Sequence, residues 1–428
     1  MPSRQKTIMH MVNKLTALQT KICYMIINVH VLLVNNSYRK TTMQNTGAFI
    51  AFASLVIIIY SGLNYYFIRK NRSLLTRRSL TAIIIRMLLF TLILTPVATT
   101  IFSYQGIPLL AALTGFPGYS WLAFLFLFLL IHGSVDIILF TAEKAGFVPS
   151  GYMAREILIV TMVLSVSVLA YGYHEAKDIK VERLVVETDK LPAGTKELKI
   201  VQLSDVHFSP LISVDVADKI KSIVNTERPD IVVSTGDLLD RAIRNRAGVI
   251  EALNGLSAPL GKFAVTGNHE FIAGIDNSVE FISQAGFLLL RNRSISIDGI
   301  INLAGVDDSD AARFGIKIDK SEKEVLEETE PGKFTILLKH RPVIDRQTSA
   351  MFDLQLSGHT HAGQIYPLRF IVRMIFEYTA GFYMIDANTL LYVNKGLGTV
   401  GPRIRVLAPP EITVIVLKHK SNSIPAFQ

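Results

Sequence analysis

The sequence predicts an α/β domain preceded by an all-α region of about four membrane-spanning helices. Half of the 428 residues are apolar and only 18 % are charged, against roughly 25 % in an ordinary soluble domain. Four long apolar stretches precede residue 174, and beyond residue 196 short β-branched runs alternate with helical segments. We therefore divide the chain into a basic N-terminal segment (1–46), a transmembrane region (47–173), a linker (174–195) and an α/β domain (196–428).

The basic segment contains six Lys or Arg residues, no acidic residue and an apolar run at 22–34. This run is short for a membrane span but is compatible with a signal-peptide core or an interfacial segment. Translation beginning at Met43 is an alternative.

Cys23 is the only cysteine of the sequence, which excludes a disulfide framework, a cysteine-rich zinc site and an iron–sulfur cluster.

Four stretches are long enough to cross a bilayer, which takes about 20 helical residues. They lie at 48–68, 81–103, 119–140 and 154–173. A buried soluble bundle is the alternative, which four such runs in close succession disfavour. His132 and Asp136 lie four residues apart in the third stretch, on one helical face. We favour structural pairing with another helix over a transport or relay role for them.

The loops predict the orientation. Residues 69–78 contain five positive charges and residues 104–118 contain none; loops rich in Lys and Arg stay in the cytoplasm. This predicts a multi-pass protein of the cell membrane whose C-terminal domain lies on the extracytoplasmic side. Residues 1–160 contain 14 basic and 3 acidic residues (net +11), and residues 161–428 contain 30 and 32 (net −2). Because the basic residues flank the spans, we expect no nucleic-acid partner.

Five apolar strands of the α/β domain are each followed by polar side chains. In chain order these are Asp205 and His207, Asp237 and Asp240, Asn268 and His269, His340, and His359 and His361. Ligands of such sheets bind at the carboxyl ends of the strands. Asp, His and Asn without thiolates suit Mn, Fe or Zn. Seven of these donors exceed the needs of one four-coordinate ion and fit two ions that share a carboxylate: Asp205, His207, Asp237, Asn268, His340, His359 and His361. Unrelated polar loop residues are the alternative.

The ordered set D-x-H, G-D-x-x-D, G-N-H-E, a lone His and G-H-T-H resembles the calcineurin-like metallophosphoesterase superfamily over about 196–418. The stretches LSGHTHAGQIYP and LYVNKGLGTVGPRIRVLAPPEI are similar to its membrane-associated YkuE/YaeI-type branch. The resemblance implies a two-sheet sandwich flanked by helices. The membrane part lies outside it and is only loosely similar to four-span transmembrane proteins with a metallophosphoesterase domain.

The resemblance also implies roles for individual residues. Asp205, His207 and His361 would hold one divalent ion, Asn268, His340 and His359 the second, and Asp237 would bridge the two. His269 would face the scissile phosphate and Asp240 would orient its imidazole. Ala362 stands where relatives often have Gly, a departure that is tolerated if its backbone φ is negative.

Such a constellation performs hydrolysis, by attack of a metal-bridging hydroxide on a phosphoester or phosphoanhydride. Tethering concentrates the domain at a membrane, so the favoured substrate class is a lipid-linked phosphate or pyrophosphate, and membrane lipids are the expected partners. A nuclease of the same superfamily is one alternative. A transporter or sensor with an appended phosphoesterase module is another.

Two further motifs lie near the expected site. Gly396, Gly398 and Gly401 spell G-x-G-x-x-G, but two prolines follow and exclude the helix of a dinucleotide site, so we expect a glycine loop near the metals. Residues 366–383 combine aromatic residues with Arg369 and Arg373. A lid or bilayer-facing patch and a packed core element are equally compatible with this stretch.

Overall fold

The computed structural model describes residues 46–77, 79–240, 243 and 245–420, with side chains from residue 54 onward except that of residue 104. The apolar run at 22–34 and Cys23 lie outside the described residues. The described chain forms two compact units. One comprises residues 46–90 and 125–163, and the other comprises 91–124 and 164–420.

The N-terminal half is helical. Its helices are α1 (Thr46–Lys70), α2 (Arg72–Leu75), α3 (Leu80–Tyr104), α4 (Pro108–Lys144) and α5 (Ala154–Glu175). Within the described residues, three helices, α3 to α5, are long and apolar enough to cross a membrane. These match three of the four predicted spans, and α1 covers the first predicted span.

Helix α4 differs from its prediction. We expected a loop over residues 104–118, but the helix begins at Pro108 and continues for 37 residues. Proline suits the first turn of a helix, because the amide hydrogen it lacks would be unpaired there. Residues 108–118 contain no charged side chain, but they include Gly115, Pro117 and Gly118, which disfavour a helix interior. The helix nevertheless runs through them.

Polar side chains of the first unit pair with one another between helices. Asp136 of α4 accepts a hydrogen bond from the Tyr66 hydroxyl at 2.7 Å and forms an ion pair with Lys70 at 2.5 Å. One turn earlier, His132 Nδ1 lies 2.8 Å from Thr161 Oγ1 of α5. Such pairs satisfy polar groups that would otherwise lie in an apolar environment.

The second unit contains twelve strands among its described residues. They are β1 (Lys180–Thr188), β2 (Glu197–Leu203), β3 (Ile231–Ser234), β4 (Lys262–Ala264), β5 (Leu288–Leu289), β6 (Arg293–Ile297), β7 (Ile301–Gly305), β8 (Phe334–Leu338), β9 (Leu354–Ser357), β10 (Gly381–Met384), β11 (Leu390–Val393) and β12 (Glu411–His419). They form two six-stranded sheets, β1-β12-β2-β3-β4-β5 and β10-β11-β9-β8-β7-β6.

Helices flank the two sheets. They are α6 (Val214–Glu227), α7 (Arg246–Asn254), α8 (Asn268–Ile272), α9 (Ile275–Gln284), α10 (Asp310–Arg313), α11 (Glu322–Glu327) and α12 (Leu368–Ile375). Successive residues of β2 point to opposite faces of the first sheet. Ile200 packs in the core between the two sheets, and Val201 packs in the core beneath α6 and α7. A smaller core beneath α11 covers the other face of the second sheet.

This architecture confirms the predicted two-sheet sandwich flanked by helices. The strands β2, β3 and β4 are parallel neighbours in the first sheet, and β8 and β9 are parallel neighbours in the second. The carboxyl ends of β2, β3 and β4 therefore lie at one edge of the first sheet, and those of β8 and β9 lie at one edge of the second. The predicted site residues follow the ends of these five strands.

Candidate active site

The predicted ligands form two groups whose ligand atoms lie close together. Asp205, His207 and His361 each offer a ligand atom within 4.8 Å of those of the other two. Asp237, His340 and His359 form a second group of the same kind. The two groups come from both sheets, since β2, β3, β8 and β9 end next to these residues.

Asp237 belongs to the second group and also lies next to the first. Its Oδ2 is 3.2 Å from His340 Nε2 and 3.7 Å from His207 Nε2. It also belongs to a third group of ligand atoms, with His207 and His269. The carboxylate is almost fully buried, and its Oδ1 accepts a hydrogen bond from the His269 amide at 2.8 Å. Its position between the groups is the one predicted for a shared ligand, although the role itself stays a prediction.

Two pairs of imidazole nitrogens approach each other closely. His207 Nε2 lies 3.1 Å from His361 Nε2, and His340 Nε2 lies 3.1 Å from His359 Nδ1. The tautomer of His340 follows from its other nitrogen, because Nδ1 donates to the Thr235 carbonyl at 2.8 Å. Its neutral form therefore presents a lone pair at Nε2 to Asp237 and His359, an arrangement that a cation would stabilise.

Asn268 begins helix α8. Its Oδ1 is buried and accepts no hydrogen bond from any residue in the described part of the chain. A buried amide oxygen without a donor is costly, and it is a suitable oxygen ligand for a divalent ion. Nitrogen and oxygen donors without thiolates, buried and with an unsatisfied oxygen among them, fit the divalent ions that the sequence predicts.

Backbone strain accompanies the cluster. Asp205, His207, Asp237, His359 and His361 all have positive φ, between 49° and 71°. Such a conformation costs of order 1–3 kcal/mol in a residue other than glycine and is common at functional sites. Ala362 has φ of +51°, so the negative φ under which alanine would be readily tolerated there is not found. It joins its neighbour His361 in the left-handed region.

His269 and Asp240 form the predicted imidazole–carboxylate pair. The Nδ1 of His269 lies 2.9 Å from Asp240 Oδ1, which leaves Nε2 for another partner. Burial lowers the pKa of His269, but the hydrogen bond to Asp240 and the charge of Asp237 outweigh it and raise the pKa to about 9. The imidazole rings of His269 and His207 form a T-shaped contact, with 4.5 Å between their centroids. His269 thus borders the ligand groups.

The glycine loop lies beside the first group, as predicted. The amide of Leu397 donates to the Ser204 carbonyl at 2.9 Å, and that of Gly398 donates to the Asp205 carbonyl at 2.7 Å. A Cβ at Gly398 would collide with the Val206 carbonyl. Glycine is required here because the two backbones touch.

Comparisons with known proteins identify this arrangement. The family model described as "Calcineurin-like phosphoesterase" matches residues 198–363 of this chain. An Aquifex aeolicus protein named "Uncharacterized metallophosphoesterase" is 40 % identical over 262 residues, which cover 61 % of this chain and 100 % of that protein. The chain belongs to the calcineurin-like metallophosphoesterases. It is therefore a metal-dependent phosphoesterase, a hydrolase, as the motifs predicted.

Two further relatives extend the comparison of this metallophosphoesterase. The metallophosphoesterase YkuE of Bacillus subtilis is 34 % identical over 266 residues, covering 58 % of this chain and 90 % of that protein. A Danio rerio protein named "Transmembrane protein with metallophosphoesterase domain" is 32 % identical over 296 residues, covering 65 % and 66 %. With the three apolar helices, these similarities indicate a membrane protein.

Sequence reasoning missed Glu270, a buried residue of the metallophosphoesterase that shapes the loop holding Asp237. Its Oε1 accepts the amides of Leu238 at 2.8 Å and Leu239 at 3.1 Å. Its Oε2 accepts the amides of Asp237 at 2.9 Å and Gly267 at 2.7 Å. The signal was present: Glu270 stands three residues after Gly267, the spacing of a capping box.

Replacing Glu270 by Gln is expected to lower the free energy of unfolding by about 2–6 kcal/mol. One oxygen becomes an amide nitrogen, so two buried backbone amides lose their acceptor, at about 1–3 kcal/mol each. Urea unfolding of the full chain in detergent measures the change. Glu280→Gln is the matched control, since Glu280 is exposed and bonds only Gln284 in the described chain; equal stability of the two variants would contradict the assignment.

Sequence reasoning also missed Arg405, which is fully buried. Its guanidinium donates to the carbonyls of Gly396 and Gly398 at 2.9 and 2.6 Å through one terminal nitrogen. The same nitrogen lies 3.2 Å from His361 Nδ1. The other donates to the carbonyls of Lys395 and Ala408. Arg405 therefore holds the nearby glycine loop, and its approach to His361 joins segments that are 44 residues apart, a contact that no local motif indicates.

Proposed function

We propose that this membrane protein is a dinuclear phosphohydrolase in which Asp237 is shared by two divalent ions. Asp205, His207 and His361 would hold one ion and Asn268, His340 and His359 the other. The single observation that supports this best is the position of the Asp237 carboxylate, within 3.7 Å of an imidazole from each group. The donor set favours Mn, Fe or Zn.

When bound, such ions polarise a phosphoryl oxygen and lower the pKa of a water molecule, which can then lose a proton and act as a nucleophile near neutral pH. The chain's own residues do the rest. The attacking water gives up one proton to solvent as its oxygen bonds phosphorus. The bond between phosphorus and the leaving oxygen breaks, and the leaving oxygen takes a proton. His269 supplies that proton from Nε2, because Asp240 holds its Nδ1 and fixes the ring. General acid catalysis of this kind is typically worth 10²–10⁴-fold in rate.

We further propose where the reaction occurs and on what. The positive charges of residues 69–78 support a cytoplasmic position for that loop and an extracytoplasmic position for the catalytic domain, in a multi-pass protein of the cell membrane. The substrate class we favour is a lipid-linked phosphate or pyrophosphate, with membrane lipids as partners. The net charge of −2 over residues 161–428 supports the expectation that nucleic acid is not a substrate.

Hydrolysis by the full chain in lipid nanodiscs tests the catalytic roles. We expect cleavage of an aryl phosphodiester or monoester with Mn²⁺, its loss with chelator, and a decrease of at least about 10²-fold in His269→Ala. His419→Ala is the matched control, because His419 is exposed at the end of β12 and lies outside the site.

Three outcomes would contradict the proposal. If His269→Ala and His419→Ala behave alike, His269 is not the proton donor. If the protein binds metal but cleaves neither ester nor a lipid-linked phosphate, the dinuclear hydrolase assignment fails. Cleavage of DNA with salt-dependent binding would favour the nuclease alternative.

A further inference from the structure

Helix α12 presents an apolar face that the protein does not bury. None of its eight residues is buried. Phe370, Ile371, Met374 and Ile375 are 50 %, 54 %, 86 % and 69 % exposed. Their spacing places them on one side of the helix, and we call these four side chains the α12 face. Of the two interpretations of residues 366–383, the packed core element is therefore wrong for the helical part.

The α12 face lies next to the candidate active site in the chain and in space. A short 3₁₀ turn containing His361 precedes it, and a Cβ at Gly363 of that turn would lie 2.5 Å from the Arg369 backbone. Phe376, directly after the helix, packs against the imidazole of His359 with 5.2 Å between ring centroids. Whatever covers the α12 face thus lies beside the loop that holds two predicted ligands.

The same loop connects to an apolar helix. The Tyr366 amide donates to the Val406 carbonyl at 3.0 Å, and the Arg405 amide donates to the Gly172 carbonyl of α5 at 2.9 Å. The Leu407 amide donates to Glu175 Oε2 at the end of α5, at 2.8 Å. Residues 164–175 of α5, residues 404–407 and α12 all belong to the second unit. Only one segment therefore separates the start of α12 from the end of a helix long enough to cross a membrane.

The charged residues on α12 are basic. Arg369 and Arg373 lie four residues apart on α12, and residues 354–376 contain no acidic residue. A short helix with an apolar face and basic flanking residues binds at the surface of a bilayer, where the apolar face enters the acyl boundary and the cations meet anionic headgroups. Adjacent exposed apolar side chains rimmed by polar residues are typical of a surface that binds a membrane or another protein.

We infer that α12 is an interfacial helix, whose face docks into the bilayer that the chain's own helices cross. The docked helix holds the loop of His359 and His361 at the membrane surface, so that a phosphate carried on a lipid reaches the site without leaving the bilayer. The occupant is the lipid surface and not a second copy of the chain, because the connection to α5 brings the helix to the membrane.

A fluorescent label tests the docking without any need for catalysis. The full chain with Cys23→Ser and Met374→Cys is labelled with an environment-sensitive fluorophore and reconstituted in vesicles of neutral and anionic phospholipids. The matched control is Leu288→Cys, which is 46 % exposed on β5, at the opposite edge of the first sheet from β1.

We expect the label at 374 to shift its emission to the blue and to be quenched by spin-labelled lipids, and the label at 288 to do neither. Equal behaviour of the two labels would overturn the inference. So would a blue shift at 374 that is insensitive to lipid quenchers and disappears as the ratio of protein to lipid is lowered, because that pattern indicates a second copy of the chain.

A second measurement rests on the proposed function. In the double variant Ile371→Glu and Met374→Glu, the rate on a vesicle-borne phosphoester divided by the rate on a soluble aryl ester should fall about tenfold, while Leu288→Glu keeps the wild-type ratio. An unchanged ratio in the double variant would overturn the role of docking in substrate delivery. If the wild-type protein cleaves neither substrate, the proposed function fails, and the fluorescence still decides the docking.

Discussion

Replacing Asp237 by Asn is expected to reduce phosphoester hydrolysis about 10³-fold, a loss of about 4 kcal/mol in stabilisation of the transition state. The carboxylate is almost fully buried and lies between His207 and His340. Asn has the same shape, and its oxygen still accepts the His269 amide. The variant therefore keeps the loop but removes the negative charge that lies near His207 and His340.

Two measurements on the full chain in nanodiscs separate this cause from unfolding. We expect Asp237→Asn to bind fewer divalent ions per chain than the wild type, with a thermal unfolding midpoint close to that of the wild type. The control is Asp218→Asn, whose side chain is 56 % exposed on α6, and which should retain both metal and activity. Full metal content and full activity in Asp237→Asn would show that this carboxylate is not the shared ligand.

Replacing Arg405 by Met is expected to lower the free energy of unfolding by about 3–5 kcal/mol. The guanidinium satisfies the carbonyls of Lys395, Gly396, Gly398 and Ala408. Methionine fills much of the volume but donates no hydrogen bond. Buried carbonyls that lose a donor cost about 1–3 kcal/mol each, and backbone relaxation would recover part of the total.

Urea unfolding of the full chain in detergent measures this loss. The control is Arg183→Met, because the Arg183 side chain is 59 % exposed and pairs with Glu227 at the surface. Exposed ion pairs of this kind contribute about 0–1 kcal/mol. If Arg405→Met were as mildly destabilising as Arg183→Met, the glycine loop would be held by contacts other than the guanidinium.

Local sequence patterns predicted the α/β class and the residues that meet at the centre. Asp205, Asp237 and His340 each follow a short apolar strand, and parallel neighbours end at the same edge of a sheet. The number and type of these donors predicted two ions that share a carboxylate, and the resemblance to the family implied that Asp237 is the shared one. The geometry of the groups depends on how the two sheets pack, and it was reached through resemblance and not through the spacing alone.

The missed features depend on contacts between segments that are distant in the sequence. Arg405 looks like a surface cation in its own segment and is buried only because the glycine loop and the turn after β9 fold around it. The positive φ of Ala362 belongs to the turn that also contains His361, and local preference alone would not predict it. The extension of α4 was not predicted, because Gly115, Pro117 and Gly118 are typical of a loop, and the helix nevertheless runs through them.

The sequence by itself determined the apolar helices, the alternation of strands and helices, and the chemical identity of the ligands, because each depends on residues close together along the chain. Only the tertiary structure decided that Asp237 lies between the two groups, that Glu270 and Arg405 hold the loops around it, and that the α12 face stays exposed. These properties depend on burial and on hydrogen bonds between segments, which exist only once the two sheets have packed.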